Sequence, residues 1–144
     1  MCYNCDYENL IRQSGLEPTI RRMMVFEVVG NSPQPLSVDE VVDTVNRTRP
    51  VNRVTVYRIL DLLVKKKLVE RISTGGRSFL YGIAPNDNHR SHPHFYCKVC
   101  GAMECLSPES VNMDMGSLER TYPGVIDRAE LRFDGICKNC LKKA

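Results

Sequence analysis

A chain of 144 residues that is 42% hydrophobic and 26% charged can bury a core in one domain or two small ones, and lies outside disordered compositions. No apolar run approaches the roughly 20 residues that span a bilayer, and the N-terminal MCYNCDYENL lacks the basic start and apolar centre of a signal peptide, so a cytoplasmic protein is expected. The net charge is only +3, yet residues 47–77 hold nine Lys/Arg against two acids, the footprint of a polyanion partner, with an ordinary solvated surface as the alternative.

A short helix is predicted over about 6–14, ended by Gly15. TIRRMMVFEVVGNSP follows, with Met24, Val25, Val28 and Val29 at helical spacing and Gly30 and Pro33 as its stop. The third helix opens on Ser37-x-x-Glu40, a capping box, and presents Val38, Val41, Val42 and Val45. The fourth, NRVTVYRILDLLVKKK, is capped by Asn52. At about 100° per residue Val56, Ile59, Leu60 and Leu63 share one face. The other face carries Val54, Tyr57, Arg58, Asp61 and Lys65, where a purely solvated face has little use for a Val and a Tyr. LVERISTGGRSFLYGI then reads as two strands around Thr74-Gly75-Gly76, the Gly pair supplying positive φ.

Three helices and a hairpin in this order make a winged helix-turn-helix, whose last helix enters the major groove of DNA. In that role Val54 and Tyr57 meet thymine methyls and Arg58 a phosphate or a guanine edge; Asn52, Arg53, Thr55, Lys65 and Arg77 complete the candidate DNA contacts. A winged helix used only for protein contacts is the competing possibility.

After a polar linker, APNDNHRS, the second half reads as a strand, HFYCKVCGAMECL, a helix over about 108–121 entered through Ser107-Pro108 and burying Val111, Met115 and Leu118, and a strand, VIDRAELRFDG, alternating Ala129, Leu131 and Phe133 with charges. So small a half needs a staple, a partner subunit, or both.

Six of the seven cysteines form C-x-x-C pairs: Cys2/Cys5, Cys97/Cys100 and Cys137/Cys140. Without a signal peptide, such pairs favour metal over a disulfide framework. Cys97, Cys100, Cys137 and Cys140 make a four-thiolate set suited to tetrahedral structural zinc; two redox dithiols are the alternative. No nucleophile–base set stands out, and an enzyme is not expected.

With R-x-x-V at 22–25, the capping box, TVYRILDLLVKKKLV at 55–69, GGRSFLYGI, HPHFYCKVCG at 92–101 and GICKNC at 135–140, the chain resembles the ferric uptake regulator (Fur) family of metal-dependent repressors along nearly its whole length. The resemblance implies an α+β protein: a winged-helix DNA-binding domain (1–86), a hinge linker (87–91) and a small α/β dimerisation domain (92–144) stapled by zinc. It also implies a homodimer on an inverted-repeat DNA operator, and a second, regulatory divalent metal, zinc or iron, at the hinge. No membrane or small organic substrate is implied.

Against the family pattern, His92 and His94 are kept. Pro35 stands where a histidine is typical, Tyr81 and Gly82 near the end of the wing where an acid is, and Cys105 where another acid is. A further family site reads Ser91, Pro93, Asn112 and Ala129, so it looks lost. The candidate regulatory ligands are therefore His92, His94, Cys105, Glu104 and His89. Two imidazoles and a thiolate suit zinc better than the N/O set usual for ferrous iron. His89 also reads as a solvent-exposed linker histidine, and Cys105 as a small buried apolar residue. Cys2 and Cys5 fall outside the family pattern: they can bind metal, form a disulfide, or do neither. A peroxide- or thiol-sensing repressor on the same scaffold is the alternative function.

Overall fold

The structure is a computed structural model that describes residues 5–143 apart from Asn88, so Cys2 lies outside the described residues. It divides into two compact units, residues 1–91 and 92–144.

The first unit contains α1 (Tyr7–Gln13), α2 (Ile20–Asn31), α3 (Val38–Asn46), α4 (Arg53–Lys65), β1 (Val69–Ser73) and β2 (Phe79–Ile83). Each helix begins on a side chain that takes an orphan amide. Asp6, Thr19, Ser37 and Asn52 accept from Asn9, Arg22, Glu40 and Thr55. At α3 the box is complete, because the Glu40 carboxylate accepts the Ser37 amide at 3.1 Å.

The buried faces converge on one core. Ile11, Val25, Phe26, Val29, Val41, Val45, Val56, Ile59, Leu60 and Leu63 come from the helices, and Val69, Tyr81 and Ile83 from the hairpin. At roughly 1.5–3 kcal/mol for each large aliphatic taken out of water, this cluster holds the unit together. On α2 the buried stripe is centred one residue later than the spacing predicts: Phe26 and Gly30 are buried, while Met24 and Val28 lie at its margin. Tyr7 sits edge-on to Phe26 at 5.0 Å between ring centroids, closing the stripe from above.

The end of α4 has no glycine, yet Lys67 adopts φ 59°. The Lys67 amide donates to the Val64 carbonyl and the Leu68 amide to that of Leu63, at 3.0 and 2.9 Å. These are the two bonds of a Schellman cap, which turns the chain from α4 into β1. β1 and β2 pair antiparallel from Val69–Ile83 to Ser73–Phe79. The hairpin loop is longer than the predicted Gly-Gly turn: it spans residues 74–78, and of its two glycines only Gly75 has positive φ.

The second unit contains β3 (His94–Cys97), β4 (Met103–Cys105), a single 3-10 turn (Pro108–Ser110), α5 (Met115–Thr121), β5 (Arg132–Gly135) and α6 (Lys138–Lys143). Its three-stranded sheet has the order β4-β3-β5, with β3 antiparallel to β4 and parallel to β5. Three sequence expectations are corrected here. HFYCKVCGAMECL is two strands, broken at Gly101 with φ 77°. The helix expected over 108–121 is a 3-10 turn and a seven-residue α5 that buries nothing; Leu118 is exposed and Val111 and Met115 only half-buried. The last strand keeps only Arg132–Gly135, with Ala129 and Phe133 exposed. The reason is common to the last two: these apolar patterns have no core within the unit to meet, since among the described residues its buried apolar side chains are only Pro93, Cys97, Met103 and Cys137.

No helix among the described residues is long and apolar enough to cross a membrane.

Candidate metal centres and the basic helix

The parallel pairing of β3 and β5 sets Cys97 beside Gly135. Both strands therefore end at the same edge of the sheet, and the two knuckles that follow them, 97–100 and 137–140, meet. The first turns through Gly101, whose amide donates to the Cys97 carbonyl at 2.9 Å; the second enters α6, which carries Cys140. The four thiol sulfurs lie within 4.8 Å of one another, and those of Cys100 and Cys137 are 3.8 Å apart. Zinc–sulfur bonds of about 2.3 Å put tetrahedral sulfurs about 3.8 Å apart, so the donor set fits a structural zinc. All four are free thiols.

The backbone prepares the first ligand. The amides of Cys100 and Cys137 donate to the Cys97 sulfur at 3.5 and 3.3 Å and bring its thiol down to about 6, against the opposing effect of burial. Cys140, hydrogen-bonded to Cys137 and partly desolvated, is pushed up to about 12. Without a cation the four sulfurs cannot all ionise, and they share protons; a divalent metal replaces those protons.

A second group forms at the opposite end of β3. Register pairs His94 with Cys105 across β3 and β4, and such a pair holds its Cβ atoms about 4.5–5.5 Å apart. His92, two residues before His94, shares its face; the two imidazoles are 4.6 Å apart between centroids. One ligand atom from each of His92, His94 and Cys105 lies within 4.8 Å of the others. His94 is buried, the Nε2 of His92 is buried, and Cys105 is exposed, so the reading of Cys105 as a buried apolar residue does not hold. These three residues would hold a divalent ion through two neutral imidazoles and a thiolate.

Two other candidate ligands stand outside this group. Glu104 pairs with Phe95 and, by strand alternation, points from the other face into solvent. His89 belongs to the first unit, where its backbone exchanges bonds with Asn86 at 2.9 and 3.1 Å. Pro35 and Tyr81, at the two departures in the winged-helix unit, are both buried; next to Pro35, Leu36 bridges to Tyr81 through two backbone bonds. Burial also raises the Tyr81 phenol above its ordinary value.

On α4, Val54 is 58% and Tyr57 46% exposed, and Arg58 and Lys65 also face solvent. Arg77 is exposed in the hairpin loop. Asn52 is occupied as the cap of α4, accepting the Thr55 amide at 2.8 Å. Arg53 pairs with Asp39 at the start of α3, and that carboxylate raises its basicity further. The Asp39 partner was not foreseen, since only the fold brings residues 39 and 53 together.

Residues 13–122 match the model of the ferric uptake regulator family. The chain belongs to this family. The ferric uptake regulation protein of Bacillus subtilis strain 168 is 29% identical over 121 residues, 83% of this chain and 81% of that protein. The structure of the Helicobacter pylori ferric uptake regulator Fur superposes with a TM-score of 0.76 at 21% identity, covering 98% of this chain and 97% of that one. A zinc uptake regulator solved in complex with zinc and DNA superposes at 0.66 and 22% identity, over 94% of this chain and 91% of that one. The protein is thus a metal-responsive transcriptional regulator of the Fur family, and such regulators are transcription factors rather than enzymes.

Proposed function

We propose that the protein is a homodimeric repressor that binds an inverted-repeat operator when the His92/His94/Cys105 group holds a divalent metal, with zinc favoured over iron. The observation that carries this reading is the register of β3 and β4, which gathers two imidazoles and a thiolate at one point. A soft sulfur donor in that set favours zinc, and the similar zinc uptake regulator was solved with zinc and DNA.

Residues 1–86 serve as the DNA-binding domain and 92–144 as the dimerisation domain, with 87–91 as the hinge. The exposed Val54, Tyr57 and Arg58 on α4 support groove reading, and Lys65 and Arg77 support phosphate contact. Exposed Leu118, Tyr122, Val125, Phe133 and Leu141 support a subunit face on the second unit. Bound metal prefers the closed hinge and so biases the two-state protein toward operator binding.

The test is DNA affinity across metals, using duplexes selected from a random pool. Zinc should tighten binding in the wild type and leave His94→Ala unaffected. Equal affinity with zinc, with ferrous iron and with a chelator that spares the four-cysteine site refutes the co-repressor reading. The exposed thiol of Cys105 favours a second reading, an oxidant-sensing repressor. It wins if peroxide releases DNA and Cys105→Ser abolishes the release.

A further inference from the structure

The basic segment 47–77 holds nine Lys/Arg, and the fold brings an acid from outside it to the first cation of α4. Asp39, in the first turn of α3, pairs with the Nη1 of Arg53, the first residue of α4. Asp43, one turn further along α3, acts on the same guanidinium. The pair is not what holds the two helices together. The Asn46 side chain braces the turn between them, accepting the Val51 amide at 3.0 Å and donating to the carbonyls of Val42 and Val51 at 2.8 and 3.0 Å. The Arg53 and Asp39 side chains are 58% and 71% exposed, and an ion pair so open to solvent adds little to stability. Nor does the dipole of α3 call for an arginine, because a carboxylate in the first turn serves it alone. What the pair does fix is the direction of a guanidinium at the end of α4 that, in a helix-turn-helix, lies against base edges.

We propose that Asp39 is a positioning residue that aims Arg53 at a guanine edge in the major groove, making Arg53 a specificity-determining contact rather than one more phosphate contact. A guanidinium carries five N–H donors in a rigid fork. With Nη1 taken by Asp39, the edge formed by Nε and Nη2 keeps two parallel donors, matching the two acceptors N7 and O6 of guanine. The carboxylate also offsets much of the guanidinium's charge. That weakens the sequence-independent pull of phosphates and leaves the directional donors in place. Holding the long side chain in one direction beforehand removes part of the ordering cost on binding. This inference rests on the DNA-binding reading of α4 and adds base identity to it.

The test uses the zinc-loaded full chain, duplexes selected from a random pool, and anisotropy titrations over a range of salt. Duplexes selected by the wild type should share one guanine in each half-site, and replacing it should weaken binding at least about tenfold. Arg53→Ala should bind all bases at that position alike. Asp39→Asn keeps the shape of the side chain and removes its charge; it should cut the discrimination to about threefold or less. With Arg53 released toward phosphate, affinity of Asp39→Asn for unselected duplexes should rise and its salt slope should steepen by about 1. Asp39→Glu should restore the preference. On the Arg53→Ala background, Asp39→Asn should change nothing further at that base, a coupling that a purely structural role does not produce. Thermal midpoints of both single variants should stay with the wild type; a drop in both makes the pair a structural tie and overturns the proposal. Full discrimination in Asp39→Asn also overturns it. So does an Arg53→Ala protein whose only change is a salt slope shallower by about 1, the mark of a phosphate contact. A wild type that binds no duplex, with or without zinc, sinks the DNA-binding reading itself. A wild type that binds a selected site with preferences untouched by Arg53→Ala sinks only this inference.

Discussion

Replacing Cys100 with Ser should unfold residues 92–144 and leave residues 5–87 folded. Among the described residues, the second unit buries a single large side chain completely, Met103, together with Cys97, Cys137 and His94. Met103 is worth roughly 1.5–3 kcal/mol of transfer energy. A structural zinc in small domains contributes about 10–16 kcal/mol at neutral pH, so the metal dominates. The first unit has its own core, from Ile11 to Ile83, and does not depend on that ion.

The assay is native-state hydrogen exchange together with elemental analysis. In Cys100→Ser, zinc per chain should fall, and the amides of 94–97, 103–105 and 132–135 should lose protection while those of 25–30 and 56–63 keep it. Acid should act in the same direction, because protons compete with the ion for the four thiolates. The Cys97 thiol is lower in the fold, at about 6, than its ordinary value of 9.0. Its contribution is therefore present above pH 9 and is lost as pH falls through about 6. Full protection of β3 and β5 in Cys100→Ser without bound metal refutes this account of the unit's stability.

Tyr57→Ala and Arg58→Ala should each weaken operator binding by roughly 1–3 kcal/mol in anisotropy titrations if they touch base edges. Leu60→Ala should cost about 2–5 kcal/mol in denaturant unfolding of the first unit, because Leu60 is fully buried on the inner face of α4. Lys67→Gly should raise stability by about 1 kcal/mol, since a lysine holds a left-handed backbone that glycine adopts without cost; an unchanged midpoint would argue against strain there.

Local chemistry made the first unit readable. Ser37-x-x-Glu40 and Asn52 fix their helix starts with side chains a few residues from the amides they serve, and Val56, Ile59, Leu60 and Leu63 face a core supplied by the same unit. The Schellman stop at Lys67 was hidden because no glycine announces it. The loop 74–78 likewise depends on hairpin register, which composition alone leaves open. In the second unit, Leu118, Ala129 and Phe133 carry the periodicity of buried faces and yet stay exposed, because periodicity records only that a face is apolar and not what covers it. For the metal groups, C-x-x-C spacing was a strong signal. Separating Cys105 from Glu104 required the strand register, since neighbours in a β-strand point to opposite faces.

Both metal groups hang on β3: His94 begins it and Cys97 ends it, a step of three residues or about 10 Å. The dependence runs one way. If His92, His94 and Cys105 hold an ion as proposed, a mild chelator should strip it and leave the strand intact. Loss of an ion from the four-thiolate site should remove the strand itself, and with it the alignment of His92, His94 and Cys105. On the proposed regulatory reading, loading should therefore be ordered, the four-thiolate site first, and any affinity of the second site has meaning only in molecules whose first site is filled.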